Sequence, residues 1–251
     1  MNADKPVLWH IPISHYNEKA RWALAYKGIE HERRAPVPGA HMVVALALTR
    51  GRSATFPVLQ LGGRTYGEST DIIAALEELV PDPPLYPDDP ARRARALELE
   101  DFFDEELGPH IRLYAYNELL REPEAFERVA EKLAPAPLRR FAGPMAAALV
   151  KVRFRVSDEG RARVAKEKVL AALDRLEGEL GGSSYLVGDA FSVADLTAAS
   201  LFYPLVAPPE GPEVEVTATG FEEFRAPLRE RTGFRWVEEM FARHRRPPAP
   251  S

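Results

Sequence analysis

Residues 56–72 read FPVLQLGGRTYGESTDI, and this segment gives the strongest indication of the fold. Two short apolar runs flank Gly62 and Gly63. Consecutive glycines supply the positive φ angles that a tight turn between two strands needs. The segment therefore predicts a β-hairpin, followed by a helix that begins at Ser69.

The residues upstream predict a β-α-β unit. VLWHI at residues 7–11 is a short apolar run that suits a buried strand, and residues 16–27 suit a helix that is stopped by Gly28. A second strand is expected at residues 31–35. Parallel strands need a helical crossover, so the order β-α-β, hairpin, helix is typical of a thioredoxin-like domain.

Downstream of this unit the composition changes. Five of the ten residues in PDPPLYPDDP, residues 81–90, are proline, which indicates a stiff connector. Beyond the connector the apolar spacing is helical throughout. The predicted helices are residues 91–121, 123–155 with breaks at its prolines, 158–180, 192–202 and 221–244. We expect an α+β chain with a thioredoxin-like domain at 1–80, a linker at 81–90 and an all-α bundle at 91–251.

Composition excludes several classes of function. Lys and Arg total 33 against 38 Asp and Glu, a net charge of −5, which argues against a nucleic-acid partner. The N-terminal apolar run is too short for a membrane helix, so a cytoplasmic location is expected. No metal motif is present. Because the chain has no cysteine, any sulfur chemistry must use a thiol brought from outside.

Residues 191–195, FSVAD, predict the start of a helix in the second domain. Ser192 can accept a hydrogen bond from the backbone amide of Asp195, while the Asp195 carboxylate returns to the amide of Ser192. The segment is therefore a predicted capping box.

Four segments together carry a family resemblance that spans nearly the whole chain. They are PISHYNEKARWAL at residues 12–24, FPVL at 56–59, GESTDI at 67–72 and FSVAD at 191–195. In this order they resemble the first loop and helix, the cis-proline segment, the γ-glutamyl motif and the capping box of soluble glutathione transferases. The resemblance implies a homodimeric enzyme that uses glutathione as co-substrate, and it favours the serine-type branch.

Ser14 is the expected catalytic residue. It immediately precedes the first helix, where free amides and the helix dipole favour negative charge, and its hydroxyl can donate to a sulfur. A cysteine thiol has a pKa near ~8.5, so such help is needed to form a thiolate at neutral pH. In the resemblance Ser14 matches the activating serine or cysteine. Tyr16 is the alternative, although tyrosine-type branches place their phenol near the end of the first strand.

The glutathione-binding residues follow from the other two segments. A cis bond between Phe56 and Pro57 would turn the Phe56 backbone groups toward the cleft, where they could pair with the cysteinyl backbone of the peptide. Glu68 and Ser69 precede a helix and suit the ammonium and carboxylate of a γ-glutamyl group. The alternative is that Pro57 is trans, Ser69 is only a helix cap and Glu68 is an exposed turn charge.

The electrophile is expected to bind between the two domains. Phe103, His110 and Tyr114 share one helical stripe, and His15 and Tyr16 lie near the expected sulfur. Such aromatic stripes are more often core, and His15 is more often a solvent-facing loop residue. The acids between residues 100 and 106 are interpreted as a solvated helix face without chemistry.

The predicted function is activation of the thiol of glutathione, or of a related small thiol, for attack on a small hydrophobic electrophile. Asn17 occupies the second position of a Cys-x-x-Cys pattern, so a thioredoxin cycle is impossible. A glutathione-dependent isomerase or dehalogenase would use the same first domain. A non-catalytic binding or regulatory protein is the alternative of another class, and Asn17 together with the atypical stretch of residues 120–164 supports it.

Overall fold

The computed structural model describes residues 5–36, 40–133, 147–148, 150–151, 158–212 and 218–245. The strands in these ranges are β1 Val7–Trp9, β2 Glu32–Arg34, β3 Val58–Leu61 and β4 Arg64–Tyr66. The helices are α1 His15–Tyr26, α2 His41–Thr49, α3 Ser69–Leu79, α4 Pro90–Phe102, α5 Gly108–Arg121, α6 Pro123–Leu133, α7 Glu159–Leu180, α8 Val193–Val206, α9 Thr219–Arg225 and α10 Thr232–His244. Within these ranges no helix is both long enough and apolar enough to cross a membrane.

The four strands form one mixed sheet in the order β2-β1-β3-β4. β1 pairs with β2 in parallel, while β3 pairs antiparallel with both β1 and β4. Gly62 and Gly63 have φ angles of 56° and 77°, which gives the tight turn between β3 and β4. The fold is α+β, as predicted, with a thioredoxin-like N-terminal domain followed by a helical domain.

α2 was not predicted from the sequence. Its residues, HMVVALALT, are apolar at nearly every position, so they lack the periodicity of a helix that buries one face. The helix buries only Ala45 and Thr49, and Val43 remains 70% exposed. It ends at Arg50, whose φ of 55° lies in the left-handed region.

Proline explains two departures from the predicted helices. Between α4 and α5, Phe103–Leu107 is a π-helical turn. Pro109 follows this turn and has no N–H to bond the carbonyl four residues earlier, so the helix widens there. The predicted helix of residues 221–244 divides into α9 and α10 around Pro227 for the same reason. Beyond α6, most of the predicted helix of residues 123–155 lies outside the described residues.

Trp22 of α1 joins the two parts of the chain. Its side chain is fully buried and contacts Phe241 of α10, with ring centroids 4.4 Å apart. It also stacks with Phe191, at 5.7 Å. Its indole Nε1 donates to the carbonyl of His244 at 3.0 Å. α1 therefore packs between the sheet domain and the helical domain.

The proline-rich connector is held against the first domain by a buried lysine. Lys27 Nζ donates to the carbonyl oxygens of Pro83 at 2.6 Å and Pro81 at 3.3 Å, and it pairs with the carboxylate of Glu77. Glu77 in turn accepts from the Leu85 amide. These bonds satisfy backbone groups that prolines leave without helix or sheet partners.

Candidate active site

The sheet register brings three of the predicted segments to one edge. Trp9, the last residue of β1, pairs with Val58, the first residue of β3. Tyr66, the last residue of β4, pairs with Leu59. One end of the sheet therefore holds the loop after β1, the turn before β3 and the segment after β4. These three segments are far apart in the sequence.

Ser14 is the N-cap residue of α1. Its backbone is extended, with φ −78° and ψ 126°, and its side chain makes no cap hydrogen bond to the helix. The Ser14 carbonyl accepts the first helical bond, from the amide of Glu18 at 2.9 Å. The half-buried hydroxyl thus stands at the positive end of α1 without being used to stabilise it.

The loop that carries Ser14 is held by Arg21. This guanidinium is 3% exposed and donates to the carbonyl oxygens of Ile11 and Pro12 at 3.3 and 3.0 Å. Its Nε pairs with Glu18 at 2.7 Å. Arg21 therefore fixes the loop from inside, a role that the sequence resemblance did not assign to it.

The Phe56-Pro57 bond is cis, as expected. Phe56 is buried and packs with Ala45 and Val58. Its carbonyl oxygen accepts a hydrogen bond from Asn17 Nδ2 at 3.0 Å. The Phe56 carbonyl is therefore already engaged within the protein, which the sequence did not reveal.

Glu68 and Ser69 begin α3. Glu68 is the N-cap, with an extended backbone and no cap hydrogen bond from its side chain, and Ser69 is the buried first residue of the helix. The alternative is therefore wrong in placing the cap at Ser69, but Glu68 is exposed, as that alternative expected. Partial burial raises the pKa of the Glu68 carboxyl, while a hydrogen bond with Ser53 opposes this shift. The two residues place a carboxylate and free helix amides side by side.

His15 and Tyr16 bind the helical domain. The Tyr16 hydroxyl donates to the Asp104 carbonyl at 2.6 Å, and His15 Nε2 lies 2.9 Å from the carbonyl oxygen of Gly108. Asp104 lies in the π-helical turn, and Gly108 directly follows it as the first residue of α5. A Cβ added to Gly108 would lie 2.2 Å from the Tyr16 hydroxyl, so only glycine allows this approach. His15 is buried, and the expectation of a solvent-facing loop histidine was wrong.

Two of the residues assigned to the electrophile pocket are core residues instead. Phe103 has no exposed surface and lies edge-on to Phe202. Tyr114 is 6% exposed and is surrounded by the aromatic rings of α9. Helical spacing predicts that the two residues share one face of the helix, but it does not show whether that face points toward the core or toward a cleft. Of the five proposed side chains, the half-buried Tyr16 and His110 remain candidates.

A buried charged cluster, which was not predicted from the sequence, connects α1, α3 and α4. Lys19 Nζ lies 2.7 Å from Glu100 Oε1 and 2.6 Å from Asp104 Oδ2. Thr70 donates to Glu100 at 2.9 Å. The side chains of Lys19 and Glu100 have no exposed surface and that of Asp104 is 19% exposed. The interpretation as a solvated face was therefore wrong for Glu100 and Asp104, whereas Asp101 and Glu105 are exposed, as expected. Residues 96, 100, 103 and 107 lie on one face of a helix by their spacing, and three of the four are apolar. Position 100 could therefore have been recognised as buried.

The burial of His15 predicts a pH dependence of stability. Burial, with a contribution from the nearby Arg112 charge, lowers the pKa of His15 from 6.5 to about 3. The neutral imidazole is therefore the folded form. Its contribution to stability is complete above pH 6.5 and is lost as the pH falls toward 3.

His15→Gln removes this titration and retains a side-chain donor. We expect the free energy of unfolding of the wild type to fall more steeply than that of the variant between pH 6 and 4, by about 1.4 kcal/mol per pH unit. Urea denaturation at pH 6.0, 5.0 and 4.0 measures both curves. Parallel curves would show that His15 becomes protonated without unfolding.

The comparisons with known proteins agree with this geometry. Residues 8–84 match the family model of the glutathione S-transferase N-terminal domain, and residues 142–226 match that of the C-terminal domain. The chain is 34% identical over 113 residues to maleylacetoacetate isomerase of Rattus norvegicus, an alignment that covers 43% of this chain and 52% of the rat protein. The alignment thus spans about half the length of that relative.

Two further matches cover more of the chain. A probable maleylacetoacetate isomerase of Caenorhabditis elegans is 29% identical over 203 residues, which cover 81% of this chain and 80% of that protein. The crystal structure of the theta class glutathione S-transferase of Xanthomonas axonopodis pv. citri, with glutathione bound, superimposes with a TM-score of 0.60 at 22% identity, covering 93% of this chain and 97% of that one. With both family models matched in order, the chain belongs to the soluble glutathione S-transferase superfamily.

Proposed function

We propose that this protein is a glutathione transferase-like enzyme of the serine type. It binds glutathione or a related small thiol, lowers the pKa of the thiol, and directs the thiolate at a small hydrophobic electrophile. The observation that carries the proposal is the meeting of three segments at one edge of the sheet: the Ser14 loop, the Phe56-Pro57 turn and the start of α3. Each suits a different part of one thiol peptide.

Ser14 has the chemical role. Its hydroxyl donates to the sulfur of the bound thiol, and the N-terminal amides of α1 add positive potential at the same point. Both interactions are stronger with a thiolate than with a thiol, so both lower the thiol pKa. His15 cannot assist as a cation, because burial lowers its pKa to about 3.

The remaining residues hold the peptide. The backbone N–H of Phe56 pairs with the cysteinyl unit, while the Phe56 carbonyl is held by Asn17 and Pro57 fixes the turn. The γ-glutamyl end carries an ammonium and a carboxylate, which suit the Glu68 carboxylate and the free amides at Ser69. These contacts determine affinity, whereas Ser14 determines reactivity.

An isomerase activity is the second candidate, and the names of two relatives favour it. In such a reaction the thiolate adds to a carbon–carbon double bond that is conjugated to a carbonyl, and the resulting single bond rotates. Elimination then restores the double bond and releases the same thiolate. Isomerisation of maleylacetoacetate without any net loss of glutathione would identify this activity, whereas transfer consumes one thiol per product.

The organisation of the whole molecule is part of the proposal. We place the thiol-binding domain at residues 1–80, the linker at 81–90 and the helical domain at 91–251. The family resemblance supports a homodimer in the cytoplasm. The net charge of −5 supports the expectation of small-molecule ligands and no nucleic acid.

Ser14→Ala is expected to separate binding from activation. Loss of one hydrogen bond to a charged sulfur costs about 1.5–3 kcal/mol, so conjugation at pH 6.5 should fall about 10- to 100-fold. The pKa of the bound thiol, read from thiolate absorbance, should rise by about 1–2 units. Calorimetry at pH 5, where glutathione binds as the protonated thiol, should give an affinity close to that of the wild type.

The exposed Ser183 offers a matched control, because Ser183→Ala removes the same hydroxyl at a position outside the proposed site. It should leave conjugation and the thiol pKa unchanged. Absence of binding heat from the wild type at millimolar glutathione would overturn the proposed function. Equal conjugation rates in wild type and Ser14→Ala would show that Ser14 does not activate the thiol, but would leave the rest of the proposed function in place.

A further inference from the structure

Asn17 lies at the place where the proposed site is assembled. It is the third residue of α1 and has no exposed surface. Its Oδ1 accepts from the backbone amide of Ile11 at 3.0 Å. Its Nδ2 donates to the carbonyl of Phe56 at 3.0 Å. The Asn17 amide group thus bonds both to the loop that contains Ser14 and to the cis-proline turn, in which Phe56 is 39 positions from Asn17.

These two bonds need both halves of a primary amide. The Ile11 amide can only donate and the Phe56 carbonyl can only accept, so the side chain between them must offer an acceptor and a donor. An ionised carboxylate of the same shape has no donor. A serine hydroxyl has both functions but is too short to span the same gap. Asparagine is therefore selected here by chemistry and by length.

We propose that Asn17 is a positioning residue for thiol activation. It sets the separation between the Ser14 loop and the Phe56-Pro57 turn, so that one bound peptide meets the hydroxyl with its sulfur and the turn with its backbone. This inference rests on the proposed function. It also replaces the earlier interpretation of Asn17 as support for a non-catalytic protein. At the position of a second redox cysteine, Asn17 links two segments of an active site by hydrogen bonds and is not a sign of lost activity.

The two hydrogen bonds of Asn17 predict that thiol affinity and thiol pKa depend on each other. Ser14→Ala removes a contact to sulfur, so it shifts the thiol pKa and leaves the affinity for the protonated thiol nearly unchanged. Loss of the Asn17 bonds frees two backbone segments at once, since the Ile11 amide and the Phe56 carbonyl both lose a buried partner. Affinity and thiol pKa should therefore change together in Asn17 variants.

Asn17→Ser and Asn17→Asp test this. Glutathione affinity is measured by calorimetry and the bound-thiol pKa by thiolate absorbance, on samples whose folding is checked by circular dichroism. For Asn17→Ser we expect the affinity for the protonated thiol, measured at pH 5, to fall about tenfold and the thiol pKa to rise by about one unit. For Asn17→Asp we expect at least about a tenfold loss of affinity at pH 7.5 and recovery to within about threefold of wild type at pH 5, because the protonated carboxyl again has a donor and an acceptor.

The outcomes separate the two proposals. If the wild type binds no glutathione, the proposed function fails and this inference fails with it. If the wild type binds and Asn17→Ser retains wild-type affinity and thiol pKa, the positioning role alone is overturned. A loss of affinity with an unchanged thiol pKa would also overturn it, because Asn17 would then serve only the peptide dock. If Asn17→Ser does not fold, the recovery of Asn17→Asp at pH 5 decides.

Discussion

Replacing Lys19 with methionine is expected to lower the free energy of unfolding by about 3–5 kcal/mol. The reason is that Lys19 forms ion pairs with two carboxylates. Its Nζ lies 2.7 Å from Glu100 Oε1 and 2.6 Å from Asp104 Oδ2. Removal of one partner of a buried ion pair leaves uncompensated charge in a medium that solvates it poorly. Urea denaturation at pH 7.5 measures the loss. Since the cluster joins α1 to α4, the two domains should also separate more readily.

A matched control and a rescue make the test specific. Lys5 pairs with Glu30 at 3.7 Å, but both side chains are more than half exposed. Lys5→Met should therefore change stability by less than about 1 kcal/mol. Adding Glu100→Gln and Asp104→Asn to Lys19→Met neutralises the stranded charges and should recover part of the loss. A loss below about 1 kcal/mol in Lys19→Met would show that water reaches the cluster.

The features that were predicted correctly from the sequence are those whose causes lie close together in the chain. Gly62 and Gly63 adopt the positive φ angles of the predicted hairpin turn. The predicted capping box is present at Ser192 and Asp195. In these cases the partners are at most a few residues apart, so a short pattern contains the whole interaction.

The features that were missed depend on contacts between distant residues. Lys19 and Glu100 are 81 positions apart, and Tyr16 reaches a carbonyl 88 positions away. Nothing near residue 104 in the sequence indicates that α1 will cover it. Asn17 was noticed only as the absence of a cysteine, because its partner at Phe56 becomes a neighbour only when β3 pairs with β1.

Asp195→Ala is expected to have an effect as large as that of Lys19→Met, although its cause is entirely local. The Asp195 carboxylate accepts three hydrogen bonds of 2.8 Å: Oδ1 from the Leu186 amide, and Oδ2 from both the amide and the hydroxyl of Ser192. Burial raises the pKa of Asp195 to about 6, against the opposing effect of these bonds. At pH 7.5 the group is therefore ionised and accepts all three.

Alanine would leave the buried Leu186 and Ser192 amides without acceptors, at about 1–3 kcal/mol for each, in addition to the lost cap. We expect a total loss of about 3–5 kcal/mol, which is a large part of the stability of a typical domain and lowers the melting temperature by roughly 10 °C. Asp189→Ala is the control, since Asp189 lies in the loop before α8, is 88% exposed and pairs weakly with Arg92. Asp195→Asn keeps one acceptor oxygen and should lose less than Asp195→Ala. Equal melting temperatures for Asp195→Ala and Asp189→Ala would mean that α8 is held by the packing of its buried apolar surface and not by its cap.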